Sequence, residues 1–199
     1  MYSYRIEQAI RAASILHKDQ VRVGEVPIPY ISHLMSVTLI LHDYTDNEDV
    51  IVAALLHDTV EDTDYTFDEL QEDFGVETRE IVESLSEPAS TSDKPVSWIE
   101  KKKQYAKKLK KASEEALIIA AADKIHNLRM MVEQNHDDHA RFLAIFGDKV
   151  VERLAGYEAI SNALNSRLKS DILHEFNNVF TEYKNFLADV KQTQENSQL

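Results

Sequence analysis

The chain has no cysteine among its 199 residues, which removes disulfides, thiolate metal sites and a cysteine nucleophile together. Glycine and proline number only four each, and neither a dinucleotide fingerprint nor a Walker motif is present. A nucleotide would therefore have to be held by side chains and metal. Positive charge is also scarce. Lys and Arg number 22 against 35 for Asp and Glu, and a formal charge of −13 argues against nucleic acid held nonspecifically by its phosphates. A local basic pocket for a small phosphorylated ligand is compatible with that total. Nothing approaches the about 20 consecutive apolar residues of a membrane span, and the opening "MYSYRIEQAIRAASIL" carries charges instead of a long apolar core. The expectation is a cytoplasmic protein with no membrane partner.

What is present is helical periodicity, with apolar residues recurring at spacings of three and four through most of the chain. The pattern predicts an all-α fold in one domain over residues 1–190, followed by a polar tail over 191–199 that has nothing to bury and should fray. Ile6 to Leu16 and Ile31 to Leu41 stripe the first two helices, and Asp46 or Asn47 can cap a third that ends near His57. Thr66 with Glu69, and Ser97 with Glu100, match capping boxes, and Gly75 is a natural stop. "SEPASTSDKPVS", Ser86 to Ser97, is the most loop-like interior stretch. "SEEALIIAAADKIHNLRMM" must be a helix buried on nearly all sides.

Charge inside such apolar runs needs compensation. Asp123 follows three alanines and two isoleucines, and an uncompensated carboxylate there is costly. His33, His57 and Asp58 occupy similar contexts on other helices. Two imidazoles and two carboxylates from three helices suit a divalent ion such as Mn²⁺, with Zn²⁺, Fe²⁺ or Co²⁺ tolerated. Adjacent residues on a helix point about 100° apart, so His57 and Asp58 can meet one ion only near a helix end. Glu61 and Asp62 lie one turn beyond them, placed to take a proton from an attacking water and return one to a leaving oxygen. The His-Asp dipeptide alone is uninformative: His42-Asp43 repeats it with no acidic pair one turn on.

"HKDQVRVGEVPIPYISH", "ALLHDTVEDT" and "AAADKIHNLRMM" together resemble HD-domain phosphohydrolases, above all the hydrolase domain of the Rel/Spo enzymes and the small stand-alone alarmone hydrolases. The likeness runs to about Met131. It implies a helical, Mn²⁺-dependent enzyme that removes the 3′-pyrophosphate from guanosine tetra- and pentaphosphate, with a small phosphorylated purine nucleotide as its partner. His33, His57, Asp58 and Asp123 match the metal ligands, and Glu61 and Asp62 match the pair that activates water. Arg22 matches the arginine that packs on the base, Asn127 the asparagine at the ribose, and Tyr157 is a candidate for the nucleotide-contacting tyrosine. Val23 stands where a second basic residue is usual, and Leu34 replaces a proline. Loss of that basic residue weakens the case for guanosine tetraphosphate and leaves an adenosine alarmone, a deoxynucleotide or NADPH as alternatives, beside a nucleotide-binding protein without catalysis. The lysine-rich "KKKQYAKKLKK" reads mainly as a solvated face anchored by Ile99, Tyr105 and Leu109, with Lys102 the candidate to fold over the pocket mouth.

Overall fold

The computed structural model describes residues 2–24, 26–87 and 96–196. Eleven helices account for most of them: α1 (Tyr4–Leu16), α2 (Ile31–His42), α3 (Glu48–Leu56), α4 (Thr59–Asp62), α5 (Phe67–Phe74), α6 (Val76–Leu85), α7 (Trp98–Leu109), α8 (Glu114–Asn135), α9 (His139–Phe146), α10 (Val150–Arg167) and α11 (Ile172–Asn196). Short polar side chains start many of them. Ser3, Asn47, Thr66, Ser97, Ser113 and Asp138 each accept a backbone N–H of the first turn that no carbonyl can reach. Thr66 and Glu69 complete a reciprocal capping box, whereas at Ser97 the side-chain bond to Glu100 N is formed at 3.3 Å. Gly75 separates α5 from α6 at φ 91°, a backbone conformation that a side chain disfavours.

The core is built around two helices. Every residue of α3 from Val50 to Leu56 is buried, and so is every residue of α8 from Ala116 to Asp123. Helices α1, α2 and α6 pack on α3, while α2, α6, α10 and α11 pack on α8. Each fully buried leucine at these contacts contributes about 1.5–3 kcal/mol of apolar transfer. The α7 helix lies along α10, and α11 closes the other side of α8. Leu34, at the position of the family proline, is wholly buried in this packing.

Between α1 and α2 the chain folds back on itself through one antiparallel bridge, Val21 with Pro29. Arg22 N donates to Ile28 O at 2.8 Å and Tyr30 N to Gln20 O at 3.0 Å. The turn brings the Arg22 guanidinium within 5.4 Å of the Tyr30 ring centroid. Among the described residues no helix is long and apolar enough to cross a membrane.

Of the loop-like stretch Ser86 to Ser97, residues 88–95 lie outside the described residues. At the C-terminal end, α11 continues through residues 191–196 instead of fraying. Those turns are mostly exposed, but they are tied down: His139 Nδ1 lies 2.8 Å from Thr193 Oγ1, Gln194 Nε2 donates to Asp148 O at 3.3 Å, and Lys191 pairs with Glu195 one turn on.

Candidate functional site

The break between α3 and α4 solves the problem of two adjacent ligands. His57 is the C-cap of α3 and Asp58 the N-cap of α4, so the backbone turns between them and both side chains face His33 near the start of α2. The candidate ligand atoms of His33, His57 and Asp58 all lie within 4.8 Å of one another, a group able to hold a metal ion. Three helices contribute it. His33 Nε2 is 3.6 Å from Asp58 Oδ2 and 3.3 Å from Asp123 Oδ1, which α8 brings in from the far side. Asp123 thus borders the group, with one oxygen also paired to the half-buried Lys124 and the other accepting from Asn127.

Hydrogen bonds fix which ring nitrogens face inward. His57 Nδ1 donates to Ala54 O at 2.7 Å, so its Nε2 carries the lone pair. That Nε2 is buried without a hydrogen-bond partner, although Asp58 Oδ2 stands 3.2 Å away. Burial pushes His126 down to about 4, helped by His33 and Arg22 nearby, so it is a neutral acceptor for His33 Nδ1 at 2.9 Å. This leaves His33 Nε2 between two carboxylates. Burial opposes a charge on His33, but Asp123 and Asp58 outweigh it and raise its pKa. Asp58 is held well below the usual carboxylate range: burial would raise it, and the attraction of the His57 ring when protonated and the hydrogen bond from His33 prevail. A ring nitrogen with no partner beside acidic oxygens is what a divalent cation would satisfy, and the mixed imidazole and carboxylate donors fit such an ion.

Glu61 and Asp62 stand on α4 just beyond. Burial of its carboxyl raises Glu61 to about 7, Asp58 adding to the effect against a hydrogen bond from Glu87 N. Asp62 is raised as well, by burial and then by Asp58. Both line a pocket of about 280 Å³ with His57, Asp58, Asp123, Lys102 and Asn127. Beside it lies a second pocket of about 310 Å³, which shares Tyr30, Lys102 and Asn127 and adds Arg22, Trp98, Arg153 and Tyr157. Its lining holds three cationic side chains and no carboxylate. Arg22 donates to Asn127 Oδ1, whose amide nitrogen donates to Asp123, so one chain of hydrogen bonds links the second pocket to the metal group. Lys102 pairs with Glu87, and Tyr157 packs between Trp98 and Tyr183. Val23 lines the second pocket, largely exposed.

Several participants were not singled out from the sequence. Tyr30 donates to Asp58 Oδ2 at 2.6 Å and stacks on His17 at 4.9 Å between ring centroids. Its signal is the spacing of three to His33, which puts the two on neighbouring faces of one turn. Lys124 is announced by being a cation inside "LIIAAADKI". Arg153 lies four residues before Tyr157 and hence on the same face of α10.

Comparison with known proteins agrees with this geometry. Residues 9–160 match the model of a family described as HD domain. Guanosine-3′,5′-bis(diphosphate) 3′-pyrophosphohydrolase MESH1 of Mus musculus is 39% identical over 124 residues, 61% of this chain and 66% of that protein. The Drosophila melanogaster protein of the same name is 30% identical over 179 residues, 85% of this chain and 92% of that protein. A solved structure of a metazoan ortholog of SpoT that hydrolyzes ppGpp superimposes with a TM-score of 0.74 at 24% identity, covering 92% of this chain and 97% of that one, which is a likeness of fold. With the metal group assembled at a helix break inside the matched region, the chain belongs to the HD-domain family.

Proposed function

We propose that the protein is a Mn²⁺-dependent guanosine-3′,5′-bis(diphosphate) 3′-pyrophosphohydrolase. The observation that carries the reading is the continuity of two pockets: a His/His/Asp group with its acidic neighbours opens onto a cationic, aromatic pocket through shared Tyr30, Lys102 and Asn127. A reactive phosphate and a base with further phosphates are thereby accommodated at once. The MESH1 relatives carry this activity in their name, and residues 9–160, which match the HD-domain family, include every residue assigned below.

His33, His57, Asp58 and Asp123 would hold the ion, which supplies polarisation of the phosphorus centre and a lowered pKa for water. Glu61, poised near neutrality, takes a proton from the attacking water as its oxygen bonds to phosphorus. The bond between that phosphorus and the 3′-oxygen breaks, and Asp62, whose pKa is also raised, delivers the proton the 3′-oxygen needs. The products are GDP and pyrophosphate. Asn127, held by Arg22 and Asp123, presents its amide to the ribose, and Arg22 lies flat against the base. The charge missing at Val23 is made up by Lys102 and Arg153 on the same pocket.

The test is incubation of the protein and Mn²⁺ with guanosine tetraphosphate, its adenine analogue, ordinary nucleoside mono- and triphosphates, deoxynucleotides and NADPH, with products resolved by ion exchange. Pyrophosphate release confined to the alarmones is the expected result. Inert alarmones beside rapid turnover of another nucleotide would overturn the substrate while leaving the metal-dependent chemistry in place.

A further inference from the structure

Gly156 lies within α10, between Arg153 and Tyr157, which line the second pocket. Glycine weakens a helix interior relative to alanine, because it exposes backbone and costs more chain entropy. The usual conformational reason for keeping one is missing here, since the positive-φ glycines are Gly75 and Gly147. What the position has is a neighbour. A Cβ at Gly156 would stand 2.6 Å from Cζ3 and 2.8 Å from Cη2 of Trp98, and 3.4 Å from Lys102 Cβ. The benzo edge of the indole therefore rests directly on the bare α-carbon, in space that an alanine would take.

That indole is the hub of the pocket wall. The Arg153 guanidinium lies 5.0 Å from its centroid, Lys102 Nζ 5.7 Å and the Tyr157 ring 5.8 Å, and all four side chains line the cationic pocket. Arg153 is additionally fixed over Phe142 and Phe146 and donates to Phe146 O at 3.2 Å, so it cannot follow the indole freely. A rigid ring pressed off α10 is displaced along the wall of the pocket it lines.

We propose that Gly156 is a specificity-determining positioning residue: its missing Cβ seats Trp98 against α10 and so keeps the pocket wide enough for a bicyclic base beside Arg22. The inference rests on the proposed function for the identity of the occupant, while the seat itself is a matter of this chain alone. Trp98 is the single tryptophan of the sequence, so its fluorescence reports the seat without any substrate.

The experiment compares wild type with Gly156→Ala by tryptophan emission, and then wild type, Gly156→Ala, Trp98→Phe and the double variant by steady-state turnover with Mn²⁺. In Gly156→Ala the emission maximum should shift, and KM for guanosine tetraphosphate should rise on the order of tenfold, as overpacking of a tight contact does. Because no reacting group moves, kcat should stay within about twofold. Phenylalanine has no benzo edge, so the double variant should return to the KM of Trp98→Phe. Wild-type emission and KM in Gly156→Ala would overturn the proposal, as would a shifted emission with unchanged KM or a double variant as impaired as Gly156→Ala. If Gly156→Ala alone does not fold, a folded double variant with the KM of Trp98→Phe supports the seat, and an unfolded or impaired one overturns it. A wild-type protein inert toward every alarmone defeats the proposed function instead, and the emission comparison still decides the seat.

Discussion

His57 uses one ring nitrogen to hold the carbonyl of Ala54 and so fixes the other, without a partner, toward Asp58 and His33. Such an atom is tolerable when a cation occupies the lone pair, and this makes ligand loss and support loss distinguishable. Asp58→Ala should abolish tight metal retention and activity together. Tyr30→Phe removes the 2.6 Å hydrogen bond to Asp58, together with the hydroxyl's interaction with Asp62, and should weaken metal binding by about ten- to a hundredfold. Elemental analysis and competition with a chelator measure both, and unchanged stoichiometric metal in Asp58→Ala would reject that ligand. Glu61 gives a second prediction through its pKa of about 7, against an ordinary value near 4.5. As a base it must be ionised, so kcat/KM should climb with pH through the region of 7, and Glu61→Gln should lose that limb and roughly a hundredfold or more in rate. The same shift has a sign for stability. The folded state binds the proton more tightly than the unfolded one, so stabilisation present below pH 4.5 is lost as pH rises through about 7. Urea midpoints of the metal-free protein at pH 5 and pH 8 should therefore differ less in Glu61→Gln than in wild type. His33, His57, Asp58 and Asp123 were legible from sequence because charge inside apolar runs needs a reason. Tyr30 and His126 were not, since their partners lie 28 and 93 residues away and only folding supplies them.

At the scale of elements, the site depends on where helices stop. The turn from α3 to α4 is what lets consecutive residues converge, and α8 supplies Asp123 and Asn127 one turn apart. Helix α7 enters differently. Of its lysines, Lys102 is half-buried and reaches the shared wall of both pockets, while Lys101, Lys103 and Lys107 are exposed as a solvated face should be. Lys102 is paired with Glu87, whose backbone N–H is bonded to Glu61, so one residue at the end of α6 touches both a proposed base and a proposed phosphate contact. Lys102→Ala should raise KM about tenfold or more for the tetraphosphate, the size of one lost charge-assisted contact, and much less for a monophosphate. Glu87→Gln should lower KM for the tetraphosphate by releasing Lys102 to it. Equal KM values across the series in both variants would leave Lys102 a surface residue. Helix starts were legible here because Asn47, Thr66 and Ser97 cap within three residues of themselves. The extra turns of α11 were not, because Thr193 and Gln194 are held by His139 and by the carbonyl of Asp148.

Across the whole molecule, charge and fold are linked through the metal group. A chain of net charge −13 gathers Asp58, Glu61, Asp62, Glu87 and Asp123 around one pocket, with Lys102 and Lys124 as the cations on its lining. Repulsion among these carboxylates works against the packing of the core, because Asp58 follows directly on α3 and Asp123 lies on α8, the two helices at its centre. A divalent cation bound between them opposes that repulsion and joins α2, the α3–α4 break and, through Asp123, α8. Binding to the folded state alone stabilises it by about 4 kcal/mol at a thousandfold excess over Kd. For a chain of this size each kcal/mol moves Tm by about 2–4 °C, so saturating Mn²⁺ should raise Tm by roughly 8–16 °C over the chelated protein. Asp58→Ala should show no such rise. A Tm that ignores both chelator and Mn²⁺, measured by circular dichroism at 222 nm, would mean that the helices meet at this site without needing an ion to hold them there.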